Sequence, residues 1–501
     1  MHPMIHAARD RIRVAYDPDL VRTFGHYMID QLGEYFRQAE QCAGPVLPWI
    51  EPQTNVRDAA ALLHTPLGGD ASPGVLRDRF AELVEQSLDR SHRLHDPRYI
   101  GHQVAVPSPI AGLFDALTAI TNQAMAIYEM GPWATAAECA LVDQLGTQIG
   151  WTPGDFSGLA THGGSLANLT ALLTARNVAV DGCWEAGVGQ TTQPPVILVH
   201  GDAHYSVTRA AGVLGLGTRQ VLRVGLDEQR RMDPARLADR LGQLRRAGRP
   251  VIAVVACACS TPIGAFDPLP EIADICQRFH VWLHVDAAHG GSACLSTQYG
   301  HLVRGLDLAD SLIWDAHKML FVPALCAFVF LRDRAHRFET FRQDAPYLFD
   351  PTAPGLAEYD SGMRNLECTK RAAAFGLWGL WSMFGRSLFA DMVDVTFSMG
   401  RVLYEKLVEA DDFVPLHQPQ CNIVVFRHMP GALRDAPPDR VGQFQLELRR
   451  RLVESSEFYI VSTKLNGVGA LRTTVMNPLT TPDHLDQLLD ALRRHGKQLL
   501  A

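Results

Sequence analysis

Between residues 196 and 331 the chain switches repeatedly between short β-branched or aromatic runs and longer helical ones. VILVH (196–200), VIAVVA (251–256), VWLHV (281–285), SLIW (311–314) and AFVFL (327–331) have the length and composition of strands. Residues 234–249 and 269–280, which lie between them, carry helical spacing. Strands that are almost continuously apolar must be covered on both faces, and strands separated by helices pair in parallel. An α/β fold with a mostly parallel sheet is therefore expected. From about Gly385 the pattern changes to a long helix, a β segment at 421–427, a helix near 441–453, a strand near 471–476 and a helix from Pro482. That reads as a smaller α+β domain. Residues 1–95 read as a polar-faced helical segment, so the expected division is 1–95, 96–385 and 386–501.

Ligand sites of open α/β sheets lie beyond the carboxyl ends of the strands. Four polar turns follow the strands: GDAHYS (201–206), CACSTPIGAFDP (257–268), DAAHGG (286–291) and DAHK (315–318). The last is the most demanding. Lys318 stands beside His317 and Asp315 in an otherwise apolar stretch, and desolvating an ammonium is costly. Either this is a charged turn between strands or the amine has a covalent task. In THGGSLANLTALLTARN (161–177), two glycines precede a helix start, where backbone N–H groups and the helix dipole favour an anion. A plain N-capped helix start would look the same. Asp286, directly after an apolar strand, is either a turn cap or a carboxylate with a cationic partner. Taken together, a phosphate cradle, an aspartate for a protonated ring nitrogen and a lysine for an aldehyde describe pyridoxal phosphate.

Composition narrows the rest. A formal net charge of -8 argues against a nucleic-acid surface. The first thirty residues, broken by Asp, Arg and His, do not read as a secretory signal. The longest apolar run, 319–331, is too short to cross a bilayer and contains Pro323. Ten scattered cysteines, with Cys257 and Cys259 at strand-like spacing, show no metal-ligand pattern. A cytoplasmic protein without metal, membrane or nucleic-acid partners is expected.

From DPRYIGHQ (96–103) to LRTTVMNP (471–478), about three quarters of its length, the chain resembles the group II pyridoxal-phosphate amino-acid decarboxylases. The likeness is to the branch with glutamate, cysteine sulfinate and 2,4-diaminobutyrate decarboxylases. The resemblance implies the fold type I architecture of pyridoxal-phosphate enzymes (aspartate aminotransferase-like) and a homodimer with sites near the interface, its N-terminal segment forming dimer contacts. It implies that Lys318 holds the cofactor as a Schiff base. His317, Ser311, Gly164 and Ser165 would hold the phosphate, and Asp286 would pair with the ring nitrogen. Ala288 would pack on one ring face, His204 would stack on the other, and Thr261 would lie near the ring oxygen. Tyr347, in APYLFDP (345–351), would return a proton to the substrate Cα, and Arg472 with Gln103 would bind a substrate carboxylate.

The chain departs from the family in DAHK, where Asp315-Ala316 replaces the usual Asn-Pro and brings a carboxylate toward the phosphate. GGSLAN resembles the glutamate and cysteine sulfinate branch, and GHQVAVP lacks the aromatic cluster expected around an indole or phenol. Decarboxylation of an amino acid with a small polar side chain is the activity expected. The rivals are an aldehyde-forming decarboxylating oxidase, a transaminase or carbon–carbon lyase, and a catalytically silent scaffold. Glutamate, aspartate, cysteine sulfinate and 2,4-diaminobutyrate all fit as substrates.

Overall fold

The computed structural model describes residues 3–68, 71–341 and 358–501. Four helices come first: α1 (Pro3–Ala15), α2 (Pro18–Glu40), α3 (Pro52–Leu63) and α4 (Pro73–Arg90). Each opens on a proline, whose missing N–H and fixed φ suit a first helical turn. Asp17 caps α2 by accepting from the amides of Asp19 and Leu20. Phe24 of α2 stacks on Phe80 of α4 at 4.4 Å between ring centres. Across α2, α3 and α4 only Ala39 is buried, and Val21, Ile29, Val56 and Leu63 face outward.

The central sheet has seven strands: β1 (Ser157–Thr161), β2 (Val196–His200), β3 (Val221–Val224), β4 (Val251–Cys257), β5 (Trp282–Asp286), β6 (Ser311–Asp315) and β7 (Ala327–Leu331). Their order is β1-β7-β6-β5-β4-β2-β3. Only β7 runs against its neighbours, so the sheet is mostly parallel, as its sequence pattern implies. Sequence reading misses two strands of this sheet. SGLAT at β1 contains a glycine and little β-branching, and VLRV at β3 is a half-exposed edge. Side chains alternate across each strand. On β7, Phe328 and Phe330 enter the main core, while Ala327 and Val329 meet the opposite layer.

That opposite layer is α5 (Gly164–Ala179). The sequence suggests a leucine stripe as its apolar face. Ala167 and Ala171 lie on Ile313, Ala327 and Val329 of β6 and β7, while Leu172 and Leu173 pack with Ile197 and Val199 of β2 and Ile252 and Val255 of β4. Small residues let the helix axis come close to the strands, and this closeness sets the N-terminus of α5 against the ends of β5 and β6. The short helix α6 (Tyr205–Val213) follows β2.

The long helix α7 (Phe375–Glu409) is broken at Gly385, whose φ of 65° favours glycine. Beyond it an antiparallel sheet takes the order β8-β9-β11-β10: β8 (Phe413–Pro415), β9 (Ile423–His428), β10 (Val461–Leu465) and β11 (Val468–Thr474). Helices α8 (Pro438–Glu454) and α9 (Pro482–Leu500) cover it through Leu448, Leu452, Leu488 and Leu492. The segment around Ile100 joins this small sheet. Its N–H donates to Tyr459 O at 2.9 Å, and its carbonyl accepts from Thr474 N at 3.2 Å. Among the described residues, no helix is long and apolar enough to cross a membrane.

Candidate active site

A cavity of about 260 Å³ opens at the carboxyl ends of the parallel strands. It is lined from the turn after β1 by His162, Gly163, Gly164 and Ser165, and from the start of α6 by His204 and Ser206. After β4 come Cys259 and Thr261, at the end of β5 Asp286 and just beyond it Ala288, and at the end of β6 Asp315 and just beyond it His317 and Lys318; Gln103 is also in the wall. The turns that the sequence assigns to one sheet edge therefore do meet.

Strand alternation explains the deepest part. On β5, Leu283 and Val285 face the main core, which turns His284 and Asp286 toward α5. Asp286 Oδ2 accepts from Asn168 Nδ2 at 3.2 Å, and Oδ1 accepts from the Ala288 amide at 3.2 Å. Asn168 Oδ1 is 2.8 Å from His284 Nε2, and a carbonyl oxygen only accepts, so Nε2 carries the ring proton. Burial pushes the His284 pKa down to about 4, so the ring is neutral near pH 7. Its Nδ1 then accepts from the Ser311 hydroxyl at 2.8 Å, while Ser311 Oγ also accepts from Trp282 Nε1 at 2.8 Å. Asn168 and His284, which sequence reading passed over, thus fix the orientation of Asp286. Nothing in GGSLAN says which side of the helix its asparagine takes.

This network corrects one expectation. Ser311 shares the sheet face of Asp315 but lies four residues below it on β6, opposite His284. Strand rise makes that roughly 13 Å. Its hydroxyl is used in the core, and it does not line the cavity.

Lys318 Nζ sits 3.1 Å from Asp315 Oδ2. Burial opposes its charge, but the carboxylates of Asp315 and Asp286 outweigh that penalty, so its pKa lies above the ordinary lysine value. His317 Nδ1 is 2.7 Å from Cys326 O. Gly163, at a φ of 105°, makes the sharp turn into α5, and its successor Gly164 and Ser165 present the helix start to the cavity. His162 was also missed: its Nδ1 is 2.8 Å from Glu367 Oε1, and its buried Nε2 has no partner among the described residues.

His204 caps α6. Its Nδ1 accepts from the Ser206 amide at 3.3 Å and lies 2.8 Å from the Ser206 hydroxyl. The proton of the neutral ring is therefore on Nε2. Burial, the largest influence, lowers the His204 pKa.

Arg472, on β11, stands one layer behind Thr261. Nη2 donates to Thr261 O at 2.8 Å and Nε donates to Pro262 O at 3.2 Å. Burial pulls its pKa down to about 10, and among the described residues no carboxylate pairs with it. It does not itself line the cavity. Tyr347 lies outside the described residues. Among those residues, no group of His, Cys, Asp and Glu could hold a metal ion.

Residues 88–429 match the pyridoxal-dependent decarboxylase conserved domain. Cysteine sulfinic acid decarboxylase of Rattus norvegicus is 30% identical over 474 residues, covering 93% of this chain and 94% of its own length. The acidic amino acid decarboxylase GADL1 of Mus musculus is 28% identical over 433 residues, covering 85% of this chain and 78% of its own. The crystal structure of mouse CSAD superposes with a TM-score of 0.85 at 28% identity, covering 95% of this chain and 98% of that one. Since the matched region runs from before Gln103 to well past Lys318, the chain belongs to the pyridoxal-dependent decarboxylase family and is a pyridoxal-phosphate-dependent amino-acid decarboxylase.

Proposed function

We propose that this decarboxylase takes a small acidic L-amino acid of the cysteine sulfinate, aspartate or glutamate kind, and that Arg472 selects it. The carrying observation is the buried Arg472 guanidinium, without a carboxylate among the described residues and one loop backbone from the cavity. A buried cation is expensive to leave unpaired, and an arginine fork suits a planar carboxylate. The names of the relatives, cysteine sulfinic acid and acidic amino acid decarboxylases, agree with an acidic substrate.

The residues present fit the cofactor. Its phosphate suits the N–H groups at the start of α5, its ring nitrogen suits Asp286, and its aldehyde suits Lys318 Nζ. Bound there, pyridoxal phosphate supplies an electron sink for the bond between Cα and the carboxylate. Lys318 would provide the amine that holds the aldehyde. Asp286, kept in place by Asn168, favours a protonated ring nitrogen. His204 and Ala288 would confine the ring, Thr261 would stand by its oxygen, and His317 would serve the phosphate side. Gln103 assists with the substrate carboxylate, and Tyr347 returns the proton to Cα.

The enzyme is proposed to work as a homodimer, which is supported by the apolar residues that α2 and α3 leave exposed. Ten free cysteines agree with a reducing, cytoplasmic setting. The test is a panel of L-amino acids assayed for carbon dioxide, amine and aldehyde. Cysteine sulfinate, aspartate or glutamate should give the highest kcat/KM, with amine equal to carbon dioxide. Preference for 2,4-diaminobutyrate or an aromatic amino acid overturns the role of Arg472, and aldehyde as the main product favours the oxidase reading.

A further inference from the structure

Asp315 closes β6 against the start of α5, with its side chain 3% exposed. Oδ2 lies 3.1 Å from Lys318 Nζ and 3.7 Å from His317 Nε2. Oδ1 is buried and, among the described residues, has no hydrogen-bond partner. A methyl group built on Gly164 would come within 2.8 Å of both carboxylate oxygens, so the carboxylate lies directly on the first residue of the helix. The cradle that suits a phosphate already faces an anion.

We infer that Asp315 and the cofactor's phosphate share one proton, so that pyridoxal phosphate binds with uptake of a proton and its phosphate is held less tightly as pH rises. This rests on the reading of Lys318 and the α5 start as the cofactor site. Two anions in one buried site raise each other's affinity for a proton. The second pKa of a phosphate ester is about 6, so the proton is available near neutral pH. It comes from solvent and lies between Oδ1 and a phosphate oxygen; no other bond forms or breaks.

The surrounding charges do not remove the conflict. Lys318, the cation beside Asp315, is also the amine that the aldehyde takes. His317 shares its turn. From the turn before α5, His162 presents an Nε2 unpartnered among the described residues, while its Nδ1 is engaged by Glu367. His204 and Asp286 stand across the cavity, and Asp286 adds negative charge. Farther back, Glu138 and Lys370 neutralise each other at 2.5 Å.

The test uses the cofactor-free full-length protein, titrated with pyridoxal phosphate and with pyridoxal, which lacks the phosphate. Absorbance follows the adduct, and borohydride trapping places it on Lys318. The ratio of the two dissociation constants isolates the phosphate from the aldehyde chemistry. In the wild type, the preference for pyridoxal phosphate should fall by roughly tenfold per pH unit above about pH 6, as one proton uptake requires. Asp315→Asn and Asp315→Ala should both lose this fall, and at pH 8 both should prefer the phosphorylated form by at least about tenfold more than the wild type. Borohydride trapping of pyridoxal on Lys318 shows that each variant keeps an intact site, and taking the ratio of the two constants cancels the effect of losing Asp315 on the Lys318 amine. A wild-type ratio that is flat with pH overturns the inference, as does a variant that retains the wild-type slope. Absence of any trapped label on Lys318 in the wild type overturns the parent reading, and this inference with it.

Discussion

Replacing Asn168 with leucine should weaken both the fold and the cofactor site, because one amide serves three buried partners. Its Oδ1 takes the His284 Nε2 proton at 2.8 Å, and its Nδ2 donates to Ser206 Oγ at 2.9 Å and to Asp286 Oδ2 at 3.2 Å. Leucine is close in shape but offers no polar atom. His284 would keep a buried N–H with no acceptor, at about 1–3 kcal/mol. Asp286 would lose one of its two donors, and a hydrogen bond to a charged group contributes about 1.5–3 kcal/mol. Losses within one network do not simply add, and the apolar side chain recovers part of them, so about 3 kcal/mol is the expected net. At about 2 °C per kcal/mol for a large domain, the first thermal transition should fall by about 6 °C. The assay is melting with and without pyridoxal phosphate. The cofactor should raise the midpoint less in Asn168→Leu than in the wild type, since its ring partner is less firmly held. A variant that melts within about 1 °C of the wild type and gains as much from cofactor would refute the claim that this amide orients Asp286.

Lys318→Ala should lose the borohydride-stable cofactor label, and peptide mapping that finds the label on another lysine would contradict the assignment. Arg472→Lys keeps the charge but not the fork, and should raise KM for an acidic substrate by about tenfold or more; a KM within twofold removes arginine from substrate selection. Burial pushes His284 and His289 down to about 4 and about 3, so both are neutral in the fold. Both folded values lie below the unfolded value of about 6.5, so the unfolded chain binds more protons as pH falls. Their contribution is complete above about pH 6.5 and is lost toward pH 4 and 3, at up to about 1.4 kcal/mol per pH unit for each. A melting midpoint that stays level from pH 6.5 to 4.5 would contradict this.

The sequence by itself determined the fold class and the location of the chemistry. Apolar strands alternating with helices must form a covered parallel sheet, and the turns after those strands must share its carboxyl edge. Lys318, Asp286 and the glycines before α5 were legible as candidates because each stands beside a recognisable strand or helix, whereas His204 was singled out only by the family resemblance. Strands β1 and β3 were not legible, since SGLAT and VLRV acquire strand geometry by pairing with β7 and β2. Only the tertiary structure decided which face each side chain takes and what waits there. It turned Asn168 and His284 onto Asp286, sank Ser311 into the core, put Arg472 behind Thr261 and laid the Asp315 carboxylate on Gly164. The hydrogen bonds among these join residues from 29 to 211 positions apart, the nearest being Trp282 with Ser311 and the farthest Arg472 with Thr261. Local spacing reports periodicity along the chain, whereas contacts at such separations depend on strand order and register, and those are settled only when the whole sheet closes on its helices.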